Sequence, residues 1–532
     1  MIEQQHVDAV VVGAGFGGLY QLKRLRELGL TTRVFEAGSG VGGTWYWNRY
    51  PGARCDVPSV EYSYSFDDDL QQEWDWTERY ATQPEILSYL DHVADRFDLR
   101  EDITFDTRVT SAAFVEDADR WTITTDGGEE VTAQFFVMAT GCLSNANMPD
   151  IEGRDSFAGP TYHTGQWPHE GVDFTGLRVG IIGTGSSAVQ SIPMIAEQAD
   201  HLTVFQRTPT YAVPAHNRPL EDEELAYVKA HYDELRDANR EMGTAFGGWL
   251  EHNDIGVLEV DEATREAQFD KRWEEGGLAF LGAFNDLLLV PEANEIVADY
   301  VRRRIADKVD DPDVAAKLMP DTVVGCKRLC VDTGYYETYN RPNVSLIDLQ
   351  DTPIQRITPT GIDTAGDSFE FDAIVFATGF DAMTGALLAV DIEGRQGRSL
   401  REVWSAGPTT YLGVQVPEFP NLFIISGPGS PSVLTNMVTS IEQHVEFIAD
   451  TIEHVRATDH TTIEPEPAKA DEWVAYVNTV ADFTLFPRCN SWYLGANVPG
   501  KPRVFMPLPG FPGYVEQVDQ IVDNDYEGFI LA

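Results

Sequence analysis

The sequence predicts a mixed α/β chain, and three observations carry that expectation. Two Val- and Ile-rich runs each stop at a glycine fingerprint, Gly13-Ala-Gly15-Phe-Gly-Gly18 and Gly183-Thr-Gly185-Ser-Ser-Ala188. Two further apolar runs close on the same tripeptide, Ala139-Thr140-Gly141 and Ala377-Thr378-Gly379, once after each fingerprint. From about Pro209 to Pro320 the character changes to charged segments with apolar residues at helical spacing. A strand feeding a glycine turn and then a helix is the nucleotide-binding βαβ pattern. The expected fold class is therefore α/β: two Rossmann-like dinucleotide-binding domains, one for FAD and one for NADP, with a helical insertion. The expected boundaries are 1–143 and 381–532 for the first domain, 144–209 and 326–380 for the second, and 210–325 for the insertion.

Each element follows from local residues. His6 to Val12 is a strand, and Leu19, Leu22, Leu25 and Leu28 mark the helix after the first fingerprint, with Gly29 placed to cap it. Thr32 to Phe35 is the next strand and ends in Glu36, 23 residues after Gly13. Gly13, Gly15 and Gly18 allow a tight turn whose N–H groups approach a pyrophosphate, while Glu36 can accept from ribose hydroxyls. An adenine dinucleotide without a ribose phosphate, FAD, belongs here. Gly42-Gly43-Thr44-Trp45 and Tyr50-Pro51-Gly52-Ala-Arg54-Cys-Asp56 then describe an irregular loop, in which Asp56 taken alone is an ordinary carboxylate.

The second unit repeats the first with different chemistry. Val179 to Ile182 leads into Gly183 and Gly185, Ala188 stands where the third glycine was, and His201 to Phe205 ends in Gln206-Arg207-Thr208. A carboxylate would repel a 2′-phosphate and arginine pairs with one, so this site should prefer NADPH over NADH. Between the fingerprints lies Phe157-Ala-Gly159-Pro-Thr-Tyr-His163-Thr-Gly-Gln-Trp167-Pro168. A His and a Trp at this spacing are by themselves packing residues. In the insertion Leu225, Val228, Tyr232, Leu235 and Met242 share a helical face, and the segment is expected to cover a cleft without contributing chemistry. Lys327-Arg328 follows it, two adjacent cations in an acidic chain. Asn421 to Ile425 is a further strand, Ile441 to Val455 a helix, and Ser491-Trp492-Tyr493 precedes Asn497 and Lys501 in a Gly- and Pro-rich loop. Trp492 there is a candidate to line a nicotinamide or substrate pocket.

Composition bounds the setting. The net charge is −48, with 8 lysines against 30 arginines. Self-repulsion of that size should weaken the fold in dilute buffer and fade at molar salt, where the Debye length is ~3 Å, so a salt-rich, halophilic cytoplasm is expected. The same charge argues against nucleic-acid or anionic-membrane partners. No apolar run approaches the ~20 residues of a membrane span, and the chain opens on Glu3 without a basic cluster, so Val10 to Val12 reads as a strand of a cytoplasmic protein. Five cysteines (Cys55, Cys142, Cys326, Cys330, Cys489) show neither a CxxC nor a metal spacing, so reduced thiols and no metal site are expected.

Taken together, the FxGxxxHxxxWP stretch from Phe157 to Pro168 and the GGTW…YPG…D segment from Gly42 to Asp56 resemble the type I Baeyer–Villiger monooxygenases, over nearly the whole chain. Related flavin monooxygenases that oxidise nitrogen or sulfur usually end that fingerprint in a different aromatic. The resemblance implies an NADPH- and O2-dependent enzyme that converts a ketone to an ester or lactone through a peroxyflavin. It implies that Arg328 is the catalytic arginine and that Asp56 pairs with it. Lys327, Arg207 and Thr208 would contact the NADP ribose phosphate, and Trp492 would contact NADP from a loop. Phe157, Gly159, His163 and Trp167 are the fingerprint residues, of which His163 and Trp167 would serve conformational change more than chemistry. Ser432, Val433 and Leu434 match the bulge that shapes the substrate pocket in phenylacetone-oxidising members. The alternatives are a flavin-dependent N- or S-oxygenase, an NADPH-linked flavin reductase or oxidase, and a nucleotide-binding protein without catalysis.

Overall fold

The computed structural model describes residues 5–504 and 510–532; Glu3 lies outside the described residues. Its backbone is organised by two main sheets, one mixed and one wholly parallel. The first strand, β1 (Gln5–Val12), is buried along its C-terminal half and runs into Gly13; the helix α1 (Phe16–Glu27) follows, and then β2 (Thr32–Phe35). β1 pairs in parallel with β2 and with the strand Glu130–Met138, which makes it a central strand of an eight-stranded sheet. On one flank Val109–Val115 and Arg120–Thr125 add antiparallel strands. The helix Met437–Ala457 packs on α1 and buries Val438, Val445, Ile448 and Ile452 against the same core.

The second sheet is wholly parallel, with the order Val344–Asp348, His201–Gln206, Arg178–Ile182, Ala373–Phe376 and Thr161–His163. The two inner strands flank the helix Ser186–Gln198 in sequence, as in the first sheet. Its core is continuous with that of the insertion: Val179, Ile181 and Ile192 share one apolar cluster with Phe269, Phe280, Val297 and Tyr300. The insertion is helical at Asp222–Ala230, Tyr232–Arg240, Glu262–Glu275, Pro291–Lys308 and Pro312–Leu318. The face expected from Leu225 to Met242 is broken at His231 into two helices, so only Val228, Tyr232 and Leu235 bury together. Arg236 fixes the second of these helices to the first domain, donating to Gln71, Ser63 and the Glu61 carbonyl. No helix among the described residues is long and apolar enough to cross a membrane.

One expectation about covalent structure is overturned. Cys326 and Cys489 form a disulfide across 163 residues of sequence. Cys55, Cys142 and Cys330 are free and buried. Pairing at such separation leaves no local spacing to read, which is why the thiols all looked alike.

Candidate functional site

The glycine turns have the geometry of ligand cradles. Gly13 has φ +103°, and a Cβ there would stand 2.6 Å from the Ala139 carbonyl oxygen; at Gly18 it would meet the Gly13 oxygen at 1.8 Å. These two glycines therefore serve close packing of helix on strand. Gly15 faces Gly43 instead, and a Cβ on Gly43 would lie 2.9 Å from the Gly15 Cα. Gly42 N–H donates to the Ala14 carbonyl, so the GGTW segment folds over the mouth of the turn. The N-terminus of α1 has no side-chain cap, which leaves its first N–H groups for a pyrophosphate. Glu36 is buried and accepts from Ala14 N–H (2.8 Å) and Gly38 N–H (2.7 Å). Burial raises its pKa and those two donors pull it back. Trp45 is buried below the turn, with Nε1 donating to the Tyr62 hydroxyl, and Thr44 stays exposed beside it.

The second cradle differs where its ligand should differ. Gly183 repeats Gly13, with φ +117° and the Ala377 oxygen 2.3 Å from a would-be Cβ. A Cβ on Gly185 would meet nothing within 4 Å, so the space above this uncapped helix end is open. Ala188 is fully buried in the helix that follows. Gln206 does not face that space; its amide nitrogen donates 2.6 Å to the Lys317 carbonyl of the insertion. Arg207 is exposed, and Thr208 is tied down through its carbonyl, which accepts from Thr184. Burial and the charge of Arg207 both lower the pKa of Lys327. Asp321 acts on Lys327 in the opposite sense, so the two cations are only partly compensated where they come together.

Arg328 and Asp56 meet from positions 272 residues apart. Nε and Nη2 of Arg328 donate to the two carboxylate oxygens of Asp56 at 2.8 and 2.7 Å, the forked geometry of a strong ion pair. Nη1 donates 2.7 Å to the Val433 carbonyl. Burial disfavours the charged guanidinium, yet Asp56 outweighs it and Arg328 is held above its ordinary pKa. Ser432–Leu434 is a short turn with Ser432 at φ +44°, and Val433 and Leu434 share an apolar cluster with Cys142, Trp492 and Tyr493. Sequence reasoning passed over Tyr493. It is buried, interacts with Arg328, and has its pKa pushed up to about 12 by burial. Its position next to Trp492 was the only signal available. Asn497 and Lys501 dock the loop on the segment after Gly379: Asn497 donates 2.7 Å to the Phe380 carbonyl, and Lys501 reaches Asp381 and the Ala382 carbonyl.

The Phe157 to Pro168 stretch forms a joint of its own. His163 ends the edge strand of the second sheet, paired with Phe376. Its Nδ1 accepts from Gly165 N–H (3.0 Å), and its Nε2 faces Thr378 Oγ1 (3.3 Å), which itself donates to the Asn147 carbonyl. This pattern assigns the proton of a neutral ring to Nε2. Burial lowers the His163 pKa to about 4. Trp167 is buried between Tyr162 and Phe174, while a Cβ on Gly159 would lie 2.7 Å from the Asp372 oxygen and the Phe157 ring.

Two uncapped glycine cradles, one closed over a carboxylate and one beside paired cations, define an oxidoreductase of the two-dinucleotide class. Consistent with this, residues 10–238 match the family model described as pyridine nucleotide-disulphide oxidoreductase. A Baeyer-Villiger monooxygenase of Pseudooceanicola batsensis is 44% identical over 98% of this chain and 96% of its own. The phenazine N-monooxygenase PhzNO1 of Lysobacter antibioticus is 42% identical over 99% and 98%. The solved structure of an oxidized steroid monooxygenase bound to NADP superposes with a TM-score of 0.94 at 52% identity, covering 99% of both chains. The chain belongs to the family of Baeyer–Villiger monooxygenases.

Proposed function

We propose that the chain is an FAD- and NADPH-dependent oxygenase that inserts one atom of O2 beside a ketone carbonyl, giving an ester or lactone. The observation that carries this reading is the forked Arg328–Asp56 pair turned toward the Val433 carbonyl. Reduced flavin, when bound, supplies the activation of oxygen. Arg328 would stabilise negative charge developing on oxygen beside its guanidinium, and a guanidinium releases no proton at neutral pH. Asp56 holds its plane. Gly13, Gly15, Gly18, Glu36, Thr44 and Trp45 would hold FAD; Gly183, Gly185, Ala188, Arg207, Thr208 and Lys327 would hold NADPH, with Trp492 contacting it from its loop. Ser432, Val433 and Leu434 shape the ketone pocket, and the Phe157–Trp167 joint transmits movement between the sheets. The protein acts in the cytoplasm on small ketones, and its net charge of −48 leaves nucleic acid out of its partners.

The test is Arg328→Ala. NADPH should still reduce the bound flavin in the variant, while ester formation from phenylacetone or cyclohexanone falls to background. Ester at the wild-type rate would remove Arg328 from the mechanism. The 42% identity to a phenazine N-oxygenase favours a second reading, oxidation of an aromatic nitrogen. A nitrogen nucleophile needs no carbonyl polarised, so that activity should survive Arg328→Ala, and wild-type protein given both substrates would show which product dominates.

A further inference from the structure

We propose that Cys326 and Cys489 are positioning residues: their disulfide holds the segment carrying Trp492 and Tyr493 against Arg328, and its reduction releases that segment. The inference rests on the oxygenase reading for its consequence, and on the crosslink alone for its structure. Cys326 is buried and immediately precedes Lys327 and Arg328, while Cys489 is half-buried and lies three residues before Trp492. Their Cα atoms are 6.3 Å apart. One covalent bond thus joins the coenzyme-side cation, the catalytic arginine and the aromatic loop.

Apart from the disulfide, the loop is held by side-chain packing, with Tyr493 and Val504 buried in one cluster with Cys142, Ala382, Met383 and Val433. From Phe486 to Val504 it contains no strand, only the short turns Phe486–Arg488 and Trp492–Leu494, whose backbone bonds are local. Downstream it is anchored by Asn497 and Lys501 on residues 380–382. Upstream, Leu485 N–H donates 2.9 Å to the Leu288 carbonyl, and the disulfide follows four residues later. Tyr493 packs on Phe486 and Trp492 within the loop and on Val433, Ala382 and Met383 outside it, and the disulfide is the covalent member of the contacts that keep it beside Arg328. Opening the upstream anchor widens water's access to Arg328, whose side chain is already 20% exposed, and oxygen reduced there leaves as hydrogen peroxide in place of ester.

The chemistry of release is defined. A thiolate of a dithiol reductant attacks Sγ of Cys489, the more accessible sulfur; the S–S bond breaks and Cys326 leaves as a thiolate that takes up a proton. The reductant's second thiol then displaces Cys489, giving two protein thiols and an oxidised reductant. Cys55, Cys142 and Cys330 do not compete, because burial raises each of their pKa values and keeps them as thiols.

Alkylation of the denatured holoenzyme should label three of five cysteines before dithiothreitol and all five after it. Hydrogen exchange across 486–497, and peroxide formed per NADPH in the presence of ketone, should each rise several-fold on reduction. Cys489→Ser should show both increases without reductant and no further change with it. Five labelled cysteines before reduction, or exchange and peroxide yield equal in the oxidised and reduced wild type, would overturn the proposal. Failure to make ester from any ketone would refute the oxygenase reading alone, since labelling and exchange would still decide the crosslink.

Discussion

Arg328 donates three hydrogen bonds, two to Asp56 and one to a main-chain carbonyl, so the consequence of losing its carboxylate can be stated. Asp56→Asn leaves a largely buried cation with half its compensation, and stability should drop by about 3 kcal/mol in denaturant titration. Oxygenation should fall with it, and an unchanged midpoint would show that the guanidinium relaxes into solvent. Lys327 and Arg207 form the other cationic group. Replacing either by Ala should raise KM for NADPH about tenfold, the worth of one charged hydrogen bond, and leave KM for NADH in place. Equal losses with both coenzymes would mean that neither side chain meets the ribose phosphate. His163 gives a pH signature. Its pKa is about 6.5 when unfolded and about 4 in place, so the unfolded chain binds more protons between those values. Stability from this group is complete above pH 6.5 and declines as pH falls toward 4, by on the order of 3 kcal/mol. His163→Gln should flatten that part of the wild-type profile, measured as the difference between the two curves.

At the scale of elements, the two cradles separate packing from ligand approach. Gly18→Ala drives a methyl into the Gly13 carbonyl and should cost folding, whereas Gly185→Ala touches no protein atom. The latter should move the melting transition by no more than about 1 kcal/mol of stability and yet weaken NADPH binding clearly in a fluorescence titration. Normal coenzyme affinity in Gly185→Ala would show that the pyrophosphate lies elsewhere. These elements were the legible ones. Strand, glycine turn and helix are neighbours in sequence, and β1, β2, Arg178–Ile182 and His201–Gln206 fall within a residue of where the apolar runs placed them. The antiparallel pair Val109–Val115 and Arg120–Thr125 was not anticipated: no glycine fingerprint marks it, although Trp121 and Ile123 alternate with the less buried Thr122 and Thr124. The Arg328–Asp56 pair came from family resemblance, not from any local pattern. Gln206 ends its strand where Glu36 follows β2, but it turns away from the cradle and donates to the helix Pro312–Leu318.

For the molecule as a whole, 86 acidic residues against 38 basic ones leave carboxylates in excess after the arginines have been shared out. Arg302 serves Glu295 and Asp299, and Arg96 serves Asp67 and Glu73, so single forks already bind two acids each. The residual repulsion is screened only by salt, and the melting temperature should climb steadily from 0.1 to 1 M KCl as the Debye length contracts from about 10 to about 3 Å. A melting temperature independent of KCl over that range would refute the charge argument. The path of the chain between the sheets has a consequence for engineering. It passes to the second sheet after Met138 and comes back after Phe376, and the two crossings touch where Asn147 N–H donates 2.9 Å to the Gly379 carbonyl. A segment that departs and returns through one doorway is a cassette. Exchanging residues 147–379 between relatives should therefore transplant coenzyme preference while the recipient keeps its own flavin, two splice points sufficing for the whole operation.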